Sequence, residues 1–134
     1  MALMLPPNWC LIFFRDPARE FTQDRLKQTL VDARLSVTGD EQPFAVQWHD
    51  GPVLSVSVQH ASNVETIIRG LVGRRRKHRT LIPGCDAEIK IVLPDVEAVL
   101  DEINTLIEVQ STLQAATGGL MYMSWNHNFA GPDE

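Results

Sequence analysis

The most concentrated chemical feature of this sequence is a basic segment near its middle, residues 69–79. It contains six of the chain's twelve Lys and Arg residues and no acid, namely Arg69, Arg74, Arg75, Arg76, Lys77 and Arg79. Cations at this density can neutralise several phosphate groups, which gives a salt-dependent affinity for nucleic acid. A solvated helix end, or a contact with a protein partner, would use the same residues.

Two properties of the chain weaken the nucleic-acid hypothesis. Proteins that bind RNA commonly place aromatic side chains beside their basic residues for base stacking, and no aromatic residue occurs between Trp48 and Tyr122. Removing the five charges of residues 74–79 from the net charge of −5 leaves −10 on the rest of the chain, which steers a polyanion poorly. Nucleic-acid binding is therefore the alternative function, not the leading one.

A second candidate site combines two turns that follow predicted strands. Its residues are Trp48, His49 and Asp50 in one turn and Trp125, Asn126 and His127 in the other. If the fold joins the turns, His127 with Asp50 or His49 could form an acid/base pair or bind a small ligand. The competing interpretation is that Trp125 closes the core while Asn126 and His127 make turn hydrogen bonds.

The sequence predicts no cofactor and no metal site. The four histidines are scattered and lack the spacing of a zinc motif, and Cys10 and Cys85 do not form a CxxC pair. No serine or cysteine occupies a nucleophile-elbow motif, and no glycine pair precedes a helix as a phosphate-binding loop does. An enzyme is therefore not favoured, and both cysteines are expected to be reduced thiols.

Length and composition predict one domain spanning residues 1–134. With 134 residues, of which 44% are hydrophobic and 22% charged, the chain can bury a core without a metal or a disulfide. Pro-rich or polar tails are expected at residues 1–8 and 127–134. The N-terminus lacks the positive charge of a signal peptide, and no apolar run approaches the ~20 residues of a membrane span, so we expect a cytoplasmic protein without membrane contact.

Apolar periodicity predicts an α+β fold with the element order β-α-β-β-α-β-α-β. An Asp50-Gly51 turn between two alternating runs indicates a hairpin. The first six elements match a split βαβ, ferredoxin-like repeat, whose antiparallel sheet is covered on one face by helices. The large side chains expected in the core are Trp9, Ile12, Phe14, Trp48, Ile67, Leu71, Ile91, Ile103 and Leu106, with Ile103 on a single long helix after Asp95.

Three stretches of the chain resemble small uncharacterised bacterial proteins with a ferredoxin-like α+β fold. They are Trp48–Pro52, Asp101–Glu108, and Ala116–Leu120 leading to Trp125–Asn128. The resemblance implies a bacterial origin and that fold. It implies no activity and no site residues.

Charge is divided unevenly along the chain. Residues 85–134 contain nine acids and one base, Lys90, for a segment charge of −8. Because the basic segment belongs to the same chain, a two-fold homodimer could pair each segment with its opposite. The predicted function is a non-enzymatic protein-interaction or regulatory domain, with nucleic-acid binding through Arg74–Arg79, or a small-ligand or enzyme site at Trp125–His127, as alternatives.

Overall fold

A computed structural model describes residues 8–74 and 77–132. Residues 1–7 and 133–134 of the predicted tails, and Arg75 and Arg76 of the basic segment, lie outside the described residues. The elements in chain order are β1 (Trp9–Phe14), α1 (Gln23–Asp32), β2 (Ser36–Thr38), β3 (Phe44–Gln47), β4 (Leu54–His60), α2 (Val64–Val72), a 3-10 turn (Arg79–Leu81), β5 (Ala87–Val92), α3 (Val96–Asp101), α4 (Asn104–Thr117), β6 (Leu120–Met123) and β7 (Asn128–Ala130).

The strands form one antiparallel sheet in the order β2-β3-β4-β5-β1-β6-β7, with seven strands over the described residues. The prediction of a ferredoxin-like, split βαβ sheet is therefore wrong. Strand β5 pairs with β4 on one side and with β1 on the other, so it separates two strands that the split βαβ order would place side by side. Its alternate residues Ala87, Ile89 and Ile91 are fully buried, as expected for an interior strand.

Helices cover both faces of this sheet, not one face as predicted. Helices α1, α3 and α4 pack with Cys10, Ile12 and Phe14 in one apolar cluster. Helix α2 packs with Leu11 and Phe13 in a second cluster. Successive residues of a strand point to opposite faces, so the two clusters lie on opposite sides of β1.

The predicted long helix is two helices, because the chain leaves helical geometry at Glu102 (φ −120°, ψ 64°). The break changes which side of the second helix faces the sheet. Ile103 is consequently 42% exposed, while Leu106 is buried. The prediction that Ile103 is a core residue is wrong, and Ile67 on α2 is also exposed (38%).

Several smaller predictions have clear outcomes. The hairpin across Asp50-Gly51 joins β3 to β4. The residue types of Thr22 and Asp95 predict helix caps, and these residues cap α1 and α3 through side-chain hydrogen bonds. The predicted polar tail at 127–134 includes β7, which pairs with β6. Cys10 and Cys85 are free thiols. They lie toward opposite ends of the β1–β5 pair, because Cys10 pairs with Ile91, whereas Cys85 comes just before Ala87, which pairs with Phe14 at the other end.

The helix break predicts unequal effects of two alanine substitutions. Leu106→Ala should lower the free energy of unfolding by about 2–5 kcal/mol, as other large-to-small core changes do. Ile103→Ala should lower it by less than about 1 kcal/mol, as expected at a partly exposed site. Urea denaturation followed by circular dichroism measures both, and equal losses would show that α3 and α4 form one continuous helix.

Burial of the cysteines predicts slow chemistry in the folded protein. Burial raises the pKa of Cys10 to about 12, although a hydrogen bond from Gln110 opposes the shift, and it raises the pKa of Cys85 to about 11. Because the thiolate is the reactive form, iodoacetamide at pH 8 should label neither residue quickly until urea is added. Mass spectrometry of unreduced protein measures the labelling. An intramolecular disulfide would contradict the strand order, and rapid native labelling would contradict the burial of the thiols.

Candidate functional site

The two turns of the predicted ligand site lie at the same end of the sheet but are not joined. Strands β3 and β6 run parallel and both finish at this end, with β4, β5 and β1 between them. Four strand spacings of about 4.8 Å separate β3 from β6 by roughly 19 Å. His127 therefore has no access to Asp50 or His49, and the predicted acid/base pair does not form.

The first turn lines a cavity of its own, of about 270 Å³, against the start of α4. The rings of Trp48 and His49 are 4.3 Å apart. A Cβ atom at Gly51 would lie 2.3 Å from Oγ1 of Thr105, so this turn meets α4 too closely for any side chain. Asp50 and Glu102 place two carboxyl groups in the lining, which makes the cavity acidic.

The second turn divides between the two faces of the sheet. Trp125 packs against the apolar cluster on the α4 face, and Oδ1 of Asn126 accepts a hydrogen bond from the Asn128 amide. These two contacts are those of a core-closing tryptophan and a turn asparagine. His127 differs, because its Nδ1 lies 2.8 Å from the hydroxyl of Tyr122, a buried residue on the α2 face.

The described part of the basic segment lies at the C-terminal end of α2. Arg69 makes a salt bridge with Glu65 one helical turn earlier, and the guanidinium of Arg79 donates to the Gly73 carbonyl. The side chains of Arg74 and Lys77 are exposed. At least two cations of the segment, Arg69 and Arg79, are therefore bonded to their own helix or its end.

The fold brings the basic segment to the second turn. Lys77, His78, His127, Asn128 and Phe129, with Val72, line one cavity of about 250 Å³, which we call the Lys77–His127 cavity. Two predicted sites, one basic and one at a sheet end, thus meet in space although 50 positions separate them in the chain.

Aromatic residues lie directly behind this cavity. The rings of Phe129 and Tyr122 are 4.8 Å apart, and those of Tyr122 and Trp9 are 5.7 Å apart. The basic segment therefore has aromatic neighbours after all, supplied by β1, β6 and β7. Sequence spacing gave no sign of them.

A close pair of titratable residues, Asp16 and His60, was missed by sequence reasoning. Oδ2 of Asp16 lies 2.7 Å from Nε2 of His60, and both side chains are nearly buried. The amides of Glu20 and Phe21 also donate to the Asp16 carboxylate. Burial raises the pKa of Asp16, but the hydrogen bonds from His60 and the two amides together lower it by more. The pKa of Asp16 therefore lies below its ordinary value.

The Asp16–His60 pair acts as a clamp between strand ends. Asp16 follows β1 and His60 ends β4, and these strands run parallel, so both residues reach the same end of the sheet. The Asp16 amide in turn donates to Asp86, which precedes β5. A neighbouring cavity of about 150 Å³ is lined by Asp16 but not by His60, so the imidazole is not presented to a substrate there. The sequence signal that could have indicated this pair was an aspartate and a histidine at the ends of two predicted strands, Asp16 after β1 and His60 at the end of β4.

Three large aliphatic side chains form an exposed stripe on the α3–α4 surface. Leu100, Ile103 and Ile107 are 40%, 42% and 45% exposed. Ile103 and Ile107 are one helical turn apart, joined by a backbone hydrogen bond of 3.0 Å. Most large aliphatic side chains of the described residues are buried, so these three exposed ones are a candidate for an interaction surface.

An apolar groove lies on the opposite face of the sheet, between α2 and strands β1 and β5. This α2 groove has a volume of about 220 Å³, and its lining residues are Trp9, Leu11, Ile67, Leu71, Glu88 and Lys90. Burial raises the pKa of Glu88, and Lys90 opposes that shift. Its walls are aliphatic and aromatic, and its floor carries one charge of each sign.

The clamp predicts an acid-sensitive contribution to stability. Because the pKa of Asp16 is lowered on folding, its carboxylate stabilises the folded state above the ordinary aspartate pKa of about 3.9, and the stabilisation is lost as the pH falls below that value. Asp16→Asn should lower the free energy of unfolding by about 1–3 kcal/mol at pH 7, and the difference from the unchanged protein should narrow near pH 3. Asp40→Asn, at an exposed position, is the matched control. A pH-independent difference in urea denaturation would contradict the clamp.

Within the described ranges 8–74 and 77–132, no group of three His, Cys, Asp or Glu side chains is arranged to hold a metal ion. No helix in those ranges has the length and apolarity needed to cross a membrane. When the chain is compared with protein-family models, curated proteins and solved structures, none of them matches.

Proposed function

We propose that this protein is a non-enzymatic interaction domain that associates with further copies of itself. In this proposal the exposed stripe of one copy docks into the α2 groove of the next. The observation that carries it is the stripe itself, Leu100, Ile103 and Ile107, each at least 40% exposed at the end of α3 and the start of α4. The two free cysteines fit a reducing, cytoplasmic setting.

The stripe supplies a modest apolar driving force. Fully burying a large aliphatic side chain contributes about 1.5–3 kcal/mol, so the part of each side chain still exposed contributes roughly 0.6–1.3 kcal/mol. Association also costs at least about 4 kcal/mol in translational and rotational freedom. The stripe alone does not offset that loss, so the groove's apolar walls and the surrounding charges must contribute. We expect association that is weak, at about tens of micromolar.

Charge favours a second copy as the occupant of the groove. No Lys or Arg follows Lys90 in the sequence, and the stripe is interleaved with exposed acids, including Glu97, Asp101 and Glu102. The groove itself contains one charge of each sign, Glu88 and Lys90, but it lies on the helix that leads into the basic segment. The acidic helices of one copy are attracted to the basic segment of the next, with a range of about 10 Å at 0.1 M salt.

The positions of the two surfaces favour a head-to-tail arrangement over the two-fold dimer expected from the sequence. The stripe belongs to the helices on one face of the sheet, and the groove lies on the other face. A two-fold dimer with both contacts would need each copy to present both faces to its partner at once. A head-to-tail contact needs one face from each copy, and it leaves one stripe and one groove open for further copies.

The first test is the dependence of mass on concentration. In sedimentation at low salt, the unchanged protein should show an average mass that rises above 15.0 kDa with concentration, because each copy can recruit another. Ile107→Lys should hold the protein at the monomer mass, since it places a cation within the apolar stripe. Val31→Lys changes an equally exposed residue on α1 (44%) and should behave like the unchanged protein. A monomer at about 100 μM, well above the range expected for a small interface, would refute self-association.

The second test separates head-to-tail docking from stripe-to-stripe pairing. Ile67→Glu should block the groove, and Ile107→Lys should block the stripe, so each variant alone should be monomeric. Mixed together they should form a complex that stops at two copies, because each variant keeps the surface that the other has lost. If Ile67→Glu still associates by itself, self-association stands but the groove is not its docking site.

A further inference from the structure

We infer that the cavity between the turn at residues 48–51 and the start of α4 binds a primary alkylammonium ion, the chemistry of a small free amine. This inference is independent of the proposed self-association, because its lining residues all belong to one copy of the chain. It rests on two carboxylates without partners, a buried hydroxyl that is open to the cavity, and a glycine that leaves that hydroxyl uncovered.

The cavity contains two acids that no cation of the described residues neutralises. Asp50 in the turn and Glu102 between α3 and α4 both line it. Within residues 8–74 and 77–132, neither carboxylate makes a salt bridge or a hydrogen bond. An ionised carboxylate accepts hydrogen bonds and donates none, so the two acids favour a cationic ligand that donates.

A buried hydroxyl in the lining also lacks a partner. Thr105 is 1% exposed, but its side chain makes no hydrogen bond to another described residue. Thr29 and Thr117 donate to the carbonyl four residues earlier in their helices, whereas the residue four before Thr105 belongs to α3. Among the described side-chain atoms that are sealed from solvent, only Oδ1 of Asn8 has no partner. The Thr105 oxygen is therefore unpaired and open to the cavity.

The absence of a side chain at Gly51 keeps this hydroxyl uncovered. A Cβ atom at Gly51 would collide with Oγ1 of Thr105, and both residues line the cavity. A primary ammonium group has three N–H donors. The cavity offers it three acceptors, namely the carboxylates of Asp50 and Glu102 and the hydroxyl of Thr105.

The helix ends beside the cavity leave most of its negative charge in place. The N-terminus of α4 carries about half a positive charge, against two negative charges on Asp50 and Glu102, so roughly −1.5 remains. The C-terminal end of α3, at Asp101, adjoins it with the opposite sign. A cation therefore gains electrostatic energy on entering the cavity.

Size and shape favour a small organic cation. The cavity, at about 270 Å³, is slightly smaller than the ~300–1,000 Å³ of typical small-molecule sites. Trp48 supplies an apolar wall, against which a short alkyl chain can pack. The cavity thus has room for an ammonium group and the chain that carries it.

Binding can be measured by NMR titration of isotope-labelled protein at pH 8, because a protonated His49 in the lining would compete for the carboxylates. Butylammonium should cause saturable shifts confined to residues 48–51 and 102–105. It should bind about fivefold or more tightly than tetramethylammonium, which has the charge without N–H donors, and than butanol, which has the chain without the charge. The inference is overturned if butylammonium gives no saturable shift at millimolar concentration, if the shifts map elsewhere, or if either control binds as tightly.

Two further probes separate a small amine from other cations. Ca²⁺ should bind more weakly than butylammonium, because calcium takes about six to eight oxygen ligands and the described lining has two carboxylates. A capped lysine peptide should bind no more tightly than butylammonium, because the cavity holds the ammonium group and its chain but not a backbone. Tighter binding of Ca²⁺ or of the peptide would overturn the assignment to a small free amine.

Substitutions at the three acceptors test the site itself. Asp50→Asn and Glu102→Gln should each weaken butylammonium binding by about fivefold or more, as expected for a lost charged hydrogen bond. Asp101→Asn removes the same charge from an exposed neighbour that is not among the described lining residues, and it should change the affinity by less than about twofold. Thr105→Val should weaken butylammonium binding and leave tetramethylammonium binding unchanged.

Amide spectra of all four variants check their folding. Equal losses in Glu102→Gln and Asp101→Asn would show a general charge effect and overturn the site.

Discussion

Strand β1 must bury both of its faces, and most of the architecture depends on that requirement. Cys10, Ile12 and Phe14 are buried on one side and Leu11 and Phe13 on the other. A strand of this kind has to lie inside a sheet, with a layer of helices above and below it. Helix α4 covers one side and α2 covers the other, and the turn into β6 approaches so closely that a Cβ at Gly119 would lie 2.6 Å from Ile12.

The same requirement separates the charges of the molecule. Placing α2 on its own face carries the basic segment to one side of the sheet, while the acidic α3–α4 surface stays on the other. The two segments therefore do not neutralise each other by direct helix packing within one copy. The proposed association uses this separation, because it sets the acidic helices of one copy against the α2 face of another.

Individual strands and helix caps of this fold were predictable from the sequence, but the order of the strands in the sheet was not. Alternation identified β3, β4 and β5, a short apolar run identified β1, and the residue types of Thr22 and Asp95 identified the caps of α1 and α3. The order of strands did not follow, because alternation reveals which residues share a face but not which strand lies beside which. The apolar residues on both faces of β1 already required helices on both faces, and a sheet covered on one side was inconsistent with them. The break at Glu102 carries no Pro or Gly, so the exposure of Ile103 had no local signal.

In the candidate sites, too, the sequence indicated single segments but not which segments lie together. The basic segment was evident from composition alone, but its approach to His127 depends on how β7 and the end of α2 are placed. Asp16 and His60 are 44 positions apart and meet only because their parallel strands end at the same side of the sheet. The sequence did not predict that Gln110 and Gln114 are buried. Their amide groups are accommodated in the core by hydrogen bonds to Cys10, Gly119 and Ala130.

The two edge strands of the sheet, β2 and β7, are very short, with three residues each. The open side of an edge strand can pair with the backbone of another chain, and natural sheets limit this hazard by keeping edge strands short. Three residues offer too few free amide and carbonyl groups to hold an added strand. This protein can therefore carry exposed apolar side chains on its helices at high concentration with little risk of growing into a continuous intermolecular sheet.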